Sequence, residues 1–478
     1  MKLFGNDIKS SVVKKAERQK KKYANKFKHN PNADFSLRAV TNSVLGEVLG
    51  VKNIIISERG EEIIKENSII VGTIRMGYGH YRISMAIASA ANSMGITPYW
   101  FDLLSFEQTT GAKIINHLNY LYSYFSKLSR KSRIINYLFE RETAGVHKKL
   151  SCNVQYSKMN ELMAVVYRNL PKEIPFVGAH SWPSQAAIHA KMKNVVNAIP
   201  DNFPLGLHLA EGTLQTVQTY SALMGYRILK NMDTSKATLN PIPKDDIVYT
   251  GHYVDHELVS NIEIDCARRL ERIVQKKPRR FLASIGGAGA EGIFVEAVIE
   301  KLALQLRNNS ITFYINAGDH KDVFDFIDNV LKRNNIPITY HEEWNDINNF
   351  CNKELTEDKG GVHLFYSKDI FSAIYTTNLL MRFSDILLVK PSEFSFYPIP
   401  KLMIKRVGGH EAWGAIHTSE LGDGTIECET IPLILQAVDL LVNEDELIKI
   451  YCNNILTLHK AGTYNGAYNV VKLAMNHK

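Results

Sequence analysis

Apolar positions along this chain follow a short grammar that recurs: a run of aliphatic residues, a break at glycine, then apolar residues three and four apart. The clearest instance is Ser68 to Gly95, where Ile69, Ile70 and Val71 form a β-branched run, Gly77 and Gly79 free the backbone, and Met85, Ile87, Ala88, Ala91 and Met94 give a helical face. The pattern predicts a buried strand, a turn and a helix in immediate succession. A helix starting there directs unpaired N–H groups and a positive dipole end at one spot, which attracts anions. His80 follows Gly79 directly, so its imidazole sits at the helix start, at the carboxyl end of a strand where open α/β sheets bind ligands. A histidine so placed can also be only a cap.

Residues 1–66 read as a basic, helical lead-in that ends in a short strand at Asn53 to Ile56. Thr97 to Leu103 supplies the strand after the first helix, completing a parallel βαβ unit with a right-handed crossover. From Gly111 to about Leu170 the pattern is helical: Ile114, Ile115, Leu118, Leu121, Tyr122, Phe125 and Leu128 recur at helical spacing, with Lys113, Lys127, Arg130, Lys131 and Arg133 between them and Ile134, Ile135, Tyr137, Leu138 and Phe139 after them. Such a stripe is either buried against the sheet or laid on a bilayer surface. Strands resume at Pro175 to Ala179, Val195 to Ile199, Leu205 to Leu209 and Asp246 to Thr250.

A charged helix at Asp265 to Gln275 marks a boundary between Tyr253 and Pro278, and the opening grammar then returns. Arg280 to Ile285 reads as a strand, Gly286, Gly287 and Gly289 as the turn, and Gly292 to Leu306 as the helix. Further strands follow at Ile311 to Ile315, Ile338 to Tyr340, Val362 to Phe365 and Ile386 to Val389. The expected fold is α/β: two Rossmann-like domains, 67–260 and 261–478, facing a central cleft, with a helical basic N-terminal extension over 1–66.

A length of 478 residues agrees with two cores. The net charge of +8 is partly local, since Lys14, Lys15, Arg18, Lys20, Lys21, Lys22, Lys26 and Lys28 crowd the N-terminus without an apolar h-region behind them. That run is a solvated helix, or it contacts anionic lipid or nucleic acid; only the lysines themselves speak for nucleic acid, which is the less favoured partner. Cys152, Cys266, Cys351, Cys428 and Cys452 are far apart with no CxxC spacing, which supports neither a disulfide framework nor a structural zinc site. No apolar run reaches the roughly 18 residues that span a bilayer. The expectation is a cytoplasmic protein, at most peripheral at the inner face of the membrane.

Several stretches in series resemble the GT-B glycosyltransferases, in the family of the galactolipid synthases, the processive diacylglycerol glucosyltransferases and the peptidoglycan lipid-intermediate GlcNAc transferase. GYGHYRISMAIASA resembles that family's GxGHxxAAxAL turn through Gly77, Gly79, His80 and Ala86. VGAHSWPSQAA (Val177 to Ala187), IVYTGHYV (Ile247 to Val254) and ASIGGAGAEG (Ala283 to Gly292) are similar to later landmarks. The block from Asp385 to Thr425 resembles the distal one, with Lys390 to Ser392 as its KPG-like turn and GGHEA in place of PGQExxN. Two departures stand out. The glycine after KP is Ser392, and the glutamate that holds the donor ribose falls at Tyr397 or Pro398, leaving Glu393 or Glu411 to take its place.

The resemblance implies transfer of a sugar from a nucleotide-diphosphate sugar such as a UDP-sugar to an acceptor hydroxyl, lipid-linked in some members, with no metal and no cofactor beyond that co-substrate. It implies that Gly286, Gly287 and Gly289 receive the diphosphate, with Gly77 and Gly79 on the acceptor side. Lys390 and Arg406 either add positive charge there or pair with neighbouring carboxylates. His80 is the candidate general base, since imidazole titrates near neutrality, and His410 and Glu411 are candidates for sugar hydroxyls. His180, Trp182 and His208 read as core or cleft wall. An epimerase-like enzyme acting on the nucleotide sugar itself, and a non-catalytic nucleotide or glycan binder, remain open alternatives.

Overall fold

The structure, a computed structural model, describes residues 1–129, 145, 147–233, 238–285 and 291–476. The chain divides into two compact α/β units, Met1–Asp255 with Asn465–Lys478, and His256–Tyr464.

Unit 1 begins with a two-stranded hairpin, β1 (Lys2–Leu3) and β2 (Asn6–Asp7), and is built on an eight-stranded sheet. Its strands are β3 (Leu37–Thr41), β4 (Lys52–Ile56), β5 (Ser68–Thr73), β6 (Thr97–Asp102), β7 (Phe176–Gly178), β8 (Val195–Ala198), β9 (Leu214–Val217) and β10 (Ile247–Tyr249), in the spatial order β10-β9-β8-β7-β5-β6-β4-β3. All neighbours run parallel except β3 against β4. Every residue of β5 is buried, because helices cover both faces of a parallel sheet and leave no face for water. That is why the strand reads as an unbroken aliphatic run. Behind it, Phe101, Phe106, Tyr167, Phe176 and Trp182 pack in one core with Ile70 and Ile115, and Gly72 admits Phe176, whose Cζ would lie 2.2 Å from a Cβ there.

Three features of unit 1 differ from the sequence reading. The lead-in is part of the domain: β3 and β4 complete the sheet, and the Ser10–Lys26 helix buries Ala16 and Tyr23. Lys14, Lys15, Lys21, Lys22 and Lys26 are exposed because amphipathic spacing turns the small and aromatic positions inward, while Lys20 pairs with Glu161. The strand expected at Leu205 to Leu209 is instead a 3₁₀ turn, Gly206–His208. Its carbonyls are claimed by side chains: Asn153 bonds those of Gly206 and Leu209, Ser181 that of Leu207 and Asn197 that of His208, so no ladder forms. The helix Gly466–Asn476, assigned by the sequence to the rear domain, belongs to unit 1. Gly466 lets it approach closely, since a Cβ there would lie 2.2 Å from the Gly251 carbonyl oxygen, and its N–H donates to the His252 carbonyl at 2.9 Å.

Unit 2 carries six strands, β11 (Arg279–Ser284), β12 (Ile311–Asn316), β13 (Ile338–His341), β14 (Val362–Phe365), β15 (Ile386–Val389) and β16 (Lys401–Met403), in the order β13-β14-β12-β11-β15-β16. All are parallel. The short β16 escaped the sequence reading because it opens on a lysine. That ammonium is fully buried, donating to the carbonyls of Tyr397 (2.8 Å) and Ile399 (3.0 Å) and pairing with Asp423 at 2.8 Å. Two parallel α/β units are therefore present, as the recurring grammar implies. Among the described residues no helix is long and apolar enough to cross a membrane. Most of the basic and aromatic stripe, from Arg130 to Phe139, lies outside the described residues.

Candidate functional site

Each sheet has one place where the chain reverses its direction of winding. In unit 1, β5 pairs with β6 on one side and with β7 on the other, Gly72 standing opposite Gly178. In unit 2, β11 pairs with β12 on one side and with β15 on the other, Ala283 opposite Leu388. Loops leaving two such strands part in opposite directions and open a crevice beyond the carboxyl ends, which is where α/β sheets hold ligands. His80 lies just beyond β5 and Lys390 just beyond β15.

Beyond β5, Gly77 turns the chain at φ 87° and the helix Gly79–Ser93 begins. His80 lies in its first turn. Its Nδ1 is 2.9 Å from the Ala179 carbonyl oxygen, just past β7. A carbonyl can only accept, so Nδ1 carries the proton in this hydrogen bond. His180, the next residue after Ala179, meets His80 edge to face with ring centroids 4.6 Å apart. Its own Nδ1 accepts the Trp182 N–H at 3.0 Å and caps the helix Ser181–His189. Burial, together with His80 and His208, holds the His180 pKa well below its usual value, so this second imidazole is neutral.

The first turn is anchored from behind. Tyr81 donates its hydroxyl to Asp102 Oδ2 at 2.5 Å, and the Leu104 N–H donates to Oδ1 at 2.9 Å. Burial pushes the Asp102 carboxyl up to about 6 against those two hydrogen bonds and Arg75.

Sequence reasoning missed the polar layer beneath this crevice. Asn197 of β8 accepts from Ser184 Oγ at 2.9 Å and donates to Gln215 Oε1 at 2.8 Å and to the His208 carbonyl at 2.7 Å. Gln185 donates to the Leu209 carbonyl at 3.0 Å. This network fixes the turn carrying His208, whose Nδ1 is 2.8 Å from the Tyr226 hydroxyl and whose Nε2 is 3.4 Å from Asp201. The available signal was a lone amide inside each of two otherwise buried strands, Asn197 and Gln215. Satisfying such groups internally requires a partner at a defined position.

In unit 2, Lys390 follows β15 and pairs with Glu411. The other Glu411 oxygen accepts the N–H groups of Val407 (2.7 Å) and Gly408 (3.0 Å). Glu411 is thus a clamp between the strand end and the Gly408 loop, with both oxygens committed. Burial works against the Lys390 ammonium, but Glu411, Glu393 and Glu291 outweigh it and raise its pKa. Glu291 stands just before the helix Gly292–Lys301, at the end of the connection from β11. It is 3 % exposed, and its Oε2 has no hydrogen-bond partner.

The remaining expected site residues spread around this point. Ser392 leads into the 3₁₀ turn Glu393–Phe396, and its hydroxyl reaches back toward the Lys390 carbonyl at 3.4 Å. His410 folds its ring over Gly408, where a Cβ would lie 2.6 Å from Cε1. Arg406 is engaged by Glu427. Gly286, Gly287 and Gly289 lie outside the described residues.

A family model described as a domain of unknown function (DUF6937) matches residues 2–228, and a second, described likewise (DUF6938), matches residues 242–475. No curated protein matches the sequence. Among solved structures, the chain is similar to S. aureus MnaA with UDP at 12% identity and a TM-score of 0.46, over 86% of this chain and 95% of that one. It is similar to UDP-GlcNAc 2-epimerase from Neisseria meningitidis bound to UDP-GlcNAc at 12% and 0.46, over 86% and 100%. For a UDP-forming α,α-trehalose-phosphate synthase from Burkholderia vietnamiensis the values are 11% and 0.35, over 67% and 77%.

Proposed function

We propose that this protein is a GT-B enzyme that takes a nucleotide-diphosphate sugar and transfers the sugar to an acceptor hydroxyl, without a metal. The observation that carries the reading is His80. It stands at the switch point of unit 1, in the first turn of the helix after β5 with its Nδ1 2.9 Å from the Ala179 carbonyl oxygen, and in this reading the imidazole takes the proton of the acceptor hydroxyl. Such transfer needs a base for the acceptor and stabilisation of the departing diphosphate. In this reading unit 2 holds the donor at its own switch point, with Gly286, Gly287 and Gly289 receiving the diphosphate and Lys390, Ser392, Glu393, His410 and Glu411 around it. Gly77 and Gly79 shape the acceptor side. A lipid-linked acceptor at an anionic membrane face suits the outward lysines of the Ser10–Lys26 helix.

A thermal-shift screen against uridine, guanosine, thymidine and cytidine diphosphates and their sugars tests the reading, because a ligand of the folded state raises its apparent stability. With the stabilising donor in hand, His80→Ala lowers turnover by about 10² to 10⁴ while donor binding persists. Turnover unchanged in that variant removes His80 from the chemistry. The pairing of Lys390 with Glu411 favours a second reading, a binding protein that holds the nucleotide sugar without turning it over. Calorimetric binding with no product over a broad acceptor panel selects that one. Conversion of the sugar with no acceptor present selects an epimerase-like enzyme.

A further inference from the structure

The unit 2 crevice has an electrostatic problem that an anionic ligand would have to meet. Its ammonium, Lys390, already faces Glu411, and the surrounding carboxyls are Glu291, Glu393 and Glu411. A diphosphate entering beside three carboxylates and one neutralised lysine would be repelled. Glu291 differs from the other two in being almost wholly buried with one oxygen unbonded. Leaving such an atom unpaired away from water is unfavourable. Lys390 follows β15, Glu291 precedes the helix Gly292–Lys301, and the two lie close enough for each charge to act on the other.

We propose that Glu291 takes up a proton from solvent when a nucleotide phosphate occupies this crevice, and then donates it as a hydrogen bond to a phosphate oxygen. The proposal rests on the nucleotide reading above. No covalent bond to the ligand forms. The carboxylate becomes a carboxylic acid, one repulsive charge disappears, and the orphaned oxygen gains a partner. Burial already raises the Glu291 pKa, with Glu411 and Glu393 adding to it and Lys390 and the residue's own backbone N–H opposing, so the protonation asked for is in the direction the site favours.

The test is calorimetric titration of the full chain with UDP, or with whichever diphosphate the screen selects, from pH 5.5 to 8 in two buffers of different ionisation enthalpy. The wild type is expected to take up close to one proton more than Glu291→Gln on binding at the upper end of this range. Its affinity should fall by up to about tenfold per pH unit relative to that variant. Protonation of the nucleotide itself is common to both proteins and cancels. Glu291→Gln, which keeps a donor, should bind as tightly or more tightly at pH 8, and Glu291→Leu should bind more weakly than either. Equal proton uptake in wild type and Glu291→Gln overturns this proposal alone. Failure of every diphosphate to bind overturns the nucleotide reading and this proposal with it.

Discussion

Asp102→Asn offers a quantitative test of how the start of the His80 helix is held. Asp102 ends β6 and is 6 % exposed, and burial raises its pKa from 3.8 to about 6 despite hydrogen bonds from Tyr81 and Leu104 and attraction to Arg75. An acid whose folded pKa lies above its unfolded one binds its proton more tightly in the folded state. Its contribution to stability therefore declines as pH rises from about 4 to about 6, and the full penalty is present above that. With one pKa unit worth 1.36 kcal/mol, the penalty is about 3 kcal/mol. Asparagine keeps an oxygen for the Leu104 N–H and offers its N–H to the Tyr81 oxygen, at a cost of about 1 kcal/mol for the lost hydroxyl bond. The stability of the variant relative to wild type should thus improve by about 3 kcal/mol between pH 3.5 and pH 7, ending about 2 kcal/mol ahead. Urea unfolding at several pH values, followed through hydrogen exchange of β5 and β6 amides, reads this difference, since all other titrations are shared. A difference that stays flat to within about 0.5 kcal/mol refutes the account of Asp102 as a buried, strained carboxylate.

Other substitutions probe separate links. Lys401→Met leaves the buried Asp423 carboxylate with the Tyr464 hydroxyl but without its ammonium and should cost unit 2 about 3 to 5 kcal/mol, with much of it recovered in Lys401→Met/Asp423→Leu; unfolding followed at Trp344 and Trp413 reports it. Gly72→Ala drives a methyl to 2.2 Å from the Phe176 ring and should lose about 1 to 3 kcal/mol by chemical denaturation. Gly77→Ala meets no atom within 4 Å, so its cost, about 1 kcal/mol, comes only from the φ of 87°. A loss at Gly77 as large as that at Gly72 would mean the turn has a steric role as well.

Much of the scaffold was legible along the chain. The strands β5 and β15 announce themselves as aliphatic runs, and β6, β11 and β12 as apolar stretches rich in aromatic residues, because both faces of a parallel sheet are dry. His80 was legible as a site candidate because it directly follows a glycine turn at a helix start. His180 read as core or cleft wall, and it is buried and caps the helix Ser181–His189; its contact with His80 was not legible, because nothing local says that β7 lies beside β5. Lys390 and Glu411 were each visible, but their mutual pairing was left as one of two outcomes, since 21 residues separate them. Glu291 gave no signal at all, because a glutamate at a helix start is ordinarily a solvated residue placed to suit the dipole.

The amino-acid pattern by itself determined the alternation of strands and helices and the two glycine-marked starts, because hydrophobic periodicity and turn chemistry act over a few residues. Tertiary structure alone decided that the lead-in completes the first sheet, that the helix Gly466–Asn476 joins unit 1, and that Asn153, Ser181 and Asn197 convert an expected strand into the turn bearing His208. Those outcomes depend on which distant surface covers an apolar face and which distant side chain reaches a carbonyl, and neither is written in the neighbouring residues.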